Sequence, residues 1–219
     1  MTSHEFRERL SARAKNAGVT IPADSQARLE TYFQLLDQWN EKINLTALPL
    51  QQPTDETFDR LLIEPLVAAQ YVADSANTWF DVGSGGGSPA IPMKIAHPRA
   101  KLRMIESKTR KAAFLREVVR VLGLSDVGVE NQRFEELADR TDPQTIDLVT
   151  VRAIKSDRSV FAAIQRVLSP IGRVFMFHSP TSKLNASPSL RLVETIDLGT
   201  TSNARLSIWK PVFHVEQTH

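Results

Sequence analysis

Cysteine is absent from all 219 residues, which excludes disulfides, thiolate metal sites and any mechanism built on a cysteine nucleophile, covalent methyl transfer to pyrimidine C5 among them. Glycine and proline number 9 and 12, too few and too unpatterned for a fibrous or low-complexity chain. No long apolar run is present. The longest, residues 61–73, is broken by Glu64 and Pro65, and the opening Met-Thr-Ser-His-Glu-Phe-Arg-Glu-Arg-Leu carries charge where a secretory leader needs an apolar stretch. The expectation is a soluble, cytoplasmic protein with no membrane contact. Neither sign of charge dominates: 27 Lys plus Arg against 25 Asp plus Glu leaves +2, and a pI near 9.0 permits an RNA partner without requiring one.

What is present is a globular composition, 42% hydrophobic, at the length of one α/β domain with an appendage. Apolar residues recur at helical spacing over residues 6–17 and 29–43, with Leu29, Tyr32, Phe33, Leu36, Trp39 and Ile43 on one face. A third helix is expected over residues 56–73, kinked at Pro65. From Thr78 the pattern changes to buried strands at 78–82, 102–105, 127–130, 146–151 and 173–177, with helices at 90–96, around Phe114, Leu115, Val118 and Leu122, and at 160–168. Such alternation predicts an α/β, doubly wound, mostly parallel sheet. Runs at 190–198 and 206–212, separated by Gly199-Thr200-Thr201-Ser202-Asn203, predict a C-terminal antiparallel hairpin, and residues 179–189 a polar loop. Trp39 and Trp79 both lie on apolar faces and are expected in the core.

The most informative segment is Asp81-Val82-Gly83-Ser84-Gly85-Gly86-Gly87-Ser88-Pro89, which follows the first strand and precedes a helix. Open α/β sheets bind ligands at that place. A phosphate-binding P-loop needs Gly-Lys-Ser/Thr, and Ser88-Pro89 supplies no lysine, so ATP and GTP drop out. A dinucleotide fingerprint can be laid on Gly85, Gly87 and Ala90, but Asp81 would then face a pyrophosphate. S-adenosylmethionine has a sulfonium, an ammonium and a ribose diol and no phosphate. Asp81 at the first strand tip, Gly83 and Gly85 in the loop, and Glu106 at the second strand tip meet those groups.

A longer set of residues carries a resemblance. Leu36-Asp37-x-Trp39-Asn40-x-x-x-Asn44-Leu45-Thr46, Arg60, Asp81-Val82-Gly83-Ser84-Gly85-x-Gly87-x-Pro89-x-Ile91-Pro92, Glu106-Ser107, Lys111, Phe114-Leu115 and Arg152-Ala153 occur in that order. The chain resembles the RsmG family, also called glucose-inhibited division protein B, whose members methylate N7 of a guanine in small-subunit (16S) ribosomal RNA. The resemblance implies a Rossmann-like methyltransferase domain over residues 76–219 beneath an N-terminal helical cap, residues 1–75. It further implies that Gly83 and Ser88 line the S-adenosylmethionine pocket, that Phe134 and Glu135 flank the adenine, and that Arg152 closes the site. Arg60, Lys111, Arg152 and Lys155 would face RNA, within a rim that also holds Lys108, Arg110, Arg133 and Arg158. Ribosomal RNA or the small subunit is thus the expected partner, with no metal and a monomeric protein.

The chain also departs from the family. Arg60-Leu61-Leu62-Ile63-Glu64-Pro65 stands where Arg-His-x-x-Asp-Ser is usual, Ser88 replaces a bulky residue, Ala90 a glycine, Val151 a serine and His178 a lysine. Guanine N7 is a lone-pair nucleophile with no proton to lose, so no catalytic base is named. Thr150-Val151-Arg152-Ala153 stands where amino-group methyltransferases often carry Asn/Asp-Pro-Pro-Tyr/Phe, which disfavours amine methylation. The alternatives are a non-catalytic S-adenosylmethionine-binding or RNA-binding protein on the same fold, and a nicotinamide oxidoreductase using His178.

Overall fold

A computed structural model describes residues 1–152, 158–182 and 188–212. Helix α1 (Ser3–Asn16) starts at a capping box in which Thr2 and Glu5 satisfy each other's backbone N–H groups, and it buries Phe6, Leu10 and Ala14 at four-residue spacing. Helix α2 (Ala23–Asn40) follows Pro22 and buries Leu29, Tyr32, Phe33 and Leu36. Phe6 and Phe33 meet Phe58 of α3 (Asp55–Phe58), with ring centroids 5.3–5.8 Å apart.

The expected third helix is present in a different form. It runs as α3, a π-helical turn over Asp59–Ile63, and α4 (Glu64–Ala69). Instead of a kink at Pro65 there is a change of hydrogen-bond register: the Glu64 N–H reaches back five residues to the Asp59 carbonyl. In that register the Arg60 carbonyl would pair with residue 65, a proline with no N–H, so it is released to other donors.

The sheet has seven strands in the order β3-β2-β1-β4-β5-β7-β6. They are β1 (Thr78–Val82), β2 (Lys101–Ile105), β3 (Val127–Glu130), β4 (Ile146–Arg152), β5 (Leu168–His178), β6 (Leu190–Asp197) and β7 (Arg205–Pro211). The first five are parallel, and β7 lies antiparallel between β5 and β6, as a C-terminal hairpin inserted by its second strand. The remaining helices are α5 (Ala90–Ala96), α6 (Thr109–Leu122), α7 (Phe134–Arg140) and α8 (Arg158–Val167). Helix α7 was not separately anticipated, its seven residues being too short to show a period. Strand β5 begins five residues before the expected Arg173, because Pro170-Ile171-Gly172 continues the strand. A Cβ at Gly172 would lie 2.8 Å from Leu168 Cδ1 and 2.9 Å from the Ile146 carbonyl, so only glycine allows that close pairing.

Apolar side chains fill both faces of the sheet. One cluster joins α1, α2, α5 and α6 to Trp79, Leu148 and Phe175, and the other joins α7 and α8 to Phe80, Val149 and Val174. Trp79 is buried as expected, whereas Trp39 is half-buried against Phe114 at the margin. The strand period of two then puts Asp81, Thr150, Arg152 and Phe177 on the same face as Trp79. Register does the rest: Asp81 pairs with Thr150, Thr150 with Phe175, and Arg152 with Phe177. The strand order reverses between β1 and β4, so the carboxyl ends of these two strands frame the switch-point crevice.

Candidate functional site

At that crevice the loop after β1 is held by backbone bonds. The Gly83 and Ser84 N–H groups both donate to the Ile105 carbonyl at 2.9 and 3.1 Å, and the Gly87 N–H donates to the Ser84 carbonyl at 2.7 Å. Gly87 has φ +88, and a Cβ there would lie 3.0 Å from Ile91 Cγ1 and 3.3 Å from Tyr32 Cε2, so glycine is required by conformation and by space. The Tyr32 hydroxyl donates to the Gly86 carbonyl at 2.7 Å, which docks the N-terminal helices on the loop.

Asp81 is 1% exposed. Its Oδ1 accepts a 2.6 Å hydrogen bond from the Thr150 hydroxyl, which in turn accepts one from Trp79 Nε1 at 2.8 Å. Its Oδ2 is buried with no partner. Burial pushes the Asp81 carboxyl up to about 6, and hydroxyl hydrogen bonds and the Arg152 charge oppose that without cancelling it.

Arg152 lies beneath the rim, its side chain 16% exposed and its guanidinium carbon 4.5 Å from the centre of the Phe177 ring. Nη1 donates to Glu64 Oε2 and to the released Arg60 carbonyl, both at 2.9 Å, whereas Nε and Nη2 are buried without partners. Burial lowers the Arg152 pKa and the Glu64 charge opposes this, but a guanidinium remains cationic. Glu106, at the end of β2, accepts from the Gly85 N–H at 3.0 Å and the Lys108 N–H at 2.7 Å, one on each oxygen.

The other expected residues are spread along the same edge. Ser88 Oγ donates to the Arg60 carbonyl at 3.3 Å. Phe134 opens α7, its ring buried in the cluster of Val82 and Ile105, and Glu135 accepts from the Ser159 hydroxyl at 3.1 Å. A cleft of about 140 Å³ opens between the helices and the loop, walled by Leu36, Leu45 and Leu61 with Arg60, Ser88 and Arg152. Lys108, Arg110, Arg133 and Arg158 are exposed and Lys111 is half-buried, whereas Lys155 lies outside the described residues. His178 is tied to Ser207 Oγ at 2.9 Å.

Three participants were missed at the sequence level. Tyr32 was read only as a core residue, and Thr150 gains its role from strand register. Glu64 did carry a signal, a lone acid inside an apolar helix, which demands a partner once buried.

An acid at the tip of β1, a glycine loop, an acid at the tip of β2 and this strand order define the Rossmann-like fold of S-adenosylmethionine-dependent methyltransferases. Solved structures share it: a SAM-dependent methyltransferase from Aquifex aeolicus has a TM-score of 0.55 at 14% identity, covering 70% of this chain and 91% of that one. An rRNA methylase from Streptococcus thermophilus has a TM-score of 0.52 at 12% identity, covering 68% and 96%.

The family is more specific than the fold. The family model for rRNA small subunit methyltransferase G, GidB, matches residues 25–197, and the chain belongs to that family. Relatives named ribosomal RNA small subunit methyltransferase G are 36% identical over 149 residues in Neisseria meningitidis serogroup C, covering 68% of each chain. In Pseudomonas putida strain F1 the relative is 32% identical over 156 residues, covering 71% of this chain and 69% of that one.

Proposed function

We propose that this chain is an S-adenosylmethionine-dependent methyltransferase acting on N7 of a guanine in 16S ribosomal RNA. The observation that carries the cofactor assignment is the pairing of orphaned atoms at the switch point: one buried carboxylate oxygen on Asp81 and two buried donors on Arg152. Buried polar groups without partners are rare. Together these complement an α-amino acid, with Asp81 taking the ammonium and Arg152 the carboxylate of the methionine moiety. Glu106 keeps lone pairs for the ribose hydroxyls, Gly83, Gly85 and Ser88 let the backbone approach, and Phe134 and Glu135 stand beyond β3 on the adenine side.

Bound S-adenosylmethionine supplies a methyl group on a cationic sulfur. The protein contributes alignment, because N7 attacks with a lone pair and releases no proton. Such positioning is worth on the order of 7–11 kcal/mol at its best, so the absence of an evident base is consistent with the chemistry. We place the guanine in the cleft beside Ser88 and Arg60, flipped out of its stack, between the apolar walls given by Leu36, Leu45 and Leu61. The exposed cations past β2, β3 and β4 would contact RNA phosphates, and Arg152, whose Nε and Nη2 are buried, is assigned to the cofactor.

The test is transfer of labelled methyl from S-adenosylmethionine to small ribosomal subunits that lack guanine-N7 methylation, with cofactor binding measured on the same sample. Label in a guanine at N7 supports the proposal. Tight cofactor binding without label on subunits or free 16S RNA would point to a non-catalytic binder, and absence of cofactor binding would overturn the reading of residues 81–89.

A further inference from the structure

The π turn is gripped at both ends by the turn between β6 and β7. At its first residue, Asp59 is fully buried and receives Arg13 in a two-pronged ion pair at 2.9 and 2.6 Å. The Thr201 N–H and hydroxyl also donate to it at 2.8 and 2.7 Å. Just past its last residue, Glu64 is 1% exposed, and its Oε1 accepts from the Ser202 hydroxyl at 2.6 Å and the Thr200 hydroxyl at 3.4 Å. The other Glu64 oxygen holds Arg152 Nη1. Ser202 and Arg152 therefore meet on one carboxylate, supplied from a third segment of the chain.

The two oxygens of Glu64 thus have separate duties. A buried carboxylate with only one partnered oxygen would be free to rotate and would hold the guanidinium poorly, whereas the Ser202 hydroxyl at 2.6 Å, with the longer Thr200 contact at 3.4 Å beside it, fixes the carboxylate plane. Glu64 and the Arg60 carbonyl then take the same guanidinium nitrogen, which turns Nη2 and Nε away from them. Those are the two donors left without partners. Phe177 stacks on the guanidinium and limits its remaining rotation.

We propose that Glu64 and Ser202 are positioning residues for cofactor binding: the tip of the C-terminal hairpin sets, through Glu64, the orientation in which Arg152 presents Nη2 and Nε to the carboxylate of S-adenosylmethionine. This rests on the assignment of Arg152 to the cofactor made above. Neither Glu64 nor Ser202 touches the ligand, so the cost of altering them falls on affinity and not on the methyl-transfer step at saturation.

The experiment is a double-mutant cycle on the full chain, with the dissociation constant for S-adenosylmethionine read by calorimetry and kcat at saturating cofactor read beside it. Ser202→Ala is the principal variant because Ser202 sits on a half-buried turn; Glu64→Gln, which keeps the size and removes the charge, is the second. Ser202→Ala is expected to weaken binding several-fold and Glu64→Gln about tenfold, as for loss of a charge-assisted contact. kcat for Ser202→Ala should stay within about twofold. Both losses should shrink to nothing in an Arg152→Ala background, a result that simple destabilisation would not give. Wild-type affinity in both variants, or undiminished losses without Arg152, would overturn the proposal. Wild-type affinity in Arg152→Ala alone would overturn the underlying assignment and take the proposal with it.

Discussion

The position of Asp81 makes cofactor affinity depend on pH in a defined direction. In the free protein its carboxyl titrates at about 6, because burial disfavours the charged form. An ammonium facing the unpartnered Oδ2 requires that oxygen to be charged, so the liganded carboxyl titrates lower and binding below pH 6 must expel a proton. Affinity is therefore full above about 6 and falls as pH drops through it, by about twofold at pH 6 and about tenfold at pH 5. The assay is calorimetric titration from pH 5 to 7 in two buffers of different ionisation enthalpy, which also counts the protons released. Asp81→Asn should bind weakly with a flat profile. The raised pKa also sets the stability of the free protein: this contribution is fully present below the ordinary carboxyl value and is lost as pH rises through about 6. The cost of holding the ionised form at pH 7 is up to ~3 kcal/mol, so Asp81→Asn should melt higher there. A flat wild-type affinity, or one that rises as pH falls, would refute the placement of the ammonium at Asp81.

Thr150→Val removes the hydroxyl that serves both Asp81 and Trp79, leaving two buried polar atoms unpaired. Denaturant unfolding should show a loss of ~2–3 kcal/mol, and the midpoint of the affinity profile should move to higher pH. Gly87→Ala forces a side chain onto a left-handed φ and into contact with Ile91 and Tyr32. It should cost ~1–3 kcal/mol by the same measurement and weaken S-adenosylmethionine binding, because the left-handed loop is strained and Tyr32, which holds the Gly86 carbonyl, must shift to make room.

The parallel part of the sheet was legible because its central strands β1 and β4, buried on both faces, read as short apolar runs, β2 and β3 repeat the pattern in weaker form, and the glycine loop announced its own conformation. The hairpin was legible from its turn, although nothing in residues 190–212 reveals that β7 and not β6 lies against β5. The π turn was not legible: Pro65 signals an interruption, but whether a helix bends or shifts register depends on what catches the freed carbonyl, here Arg152, 92 residues away, together with Ser88. At the site, Asp81 and Glu106 were readable as acids at strand tips. Arg152 took its place at the site only from the family resemblance, since its enclosure depends on two other segments, the π turn that brings Glu64 and the Arg60 carbonyl, and β5 that brings Phe177. Glu135 and Ser159 meet across two helices, and no local pattern encodes that meeting.

The grip of the hairpin tip on Asp59 and Glu64 bears on how the chain emerges from its own synthesis. The glycine loop is complete once about two fifths of the chain is made, yet Asp59 and Glu64 wait for hydrogen bonds from Thr201 and Ser202, each more than 130 residues beyond the acid it serves. Until then Asp59 has only the two donors of Arg13, and the Oε1 of Glu64 lacks the hydroxyls of the hairpin tip. A nascent or C-terminally truncated chain would carry a legible cofactor motif and no oriented arginine. If the hairpin tip orients Arg152 as proposed, competence to bind comes only with the last strands, and a chain truncated before β6 is expected to bind S-adenosylmethionine weakly.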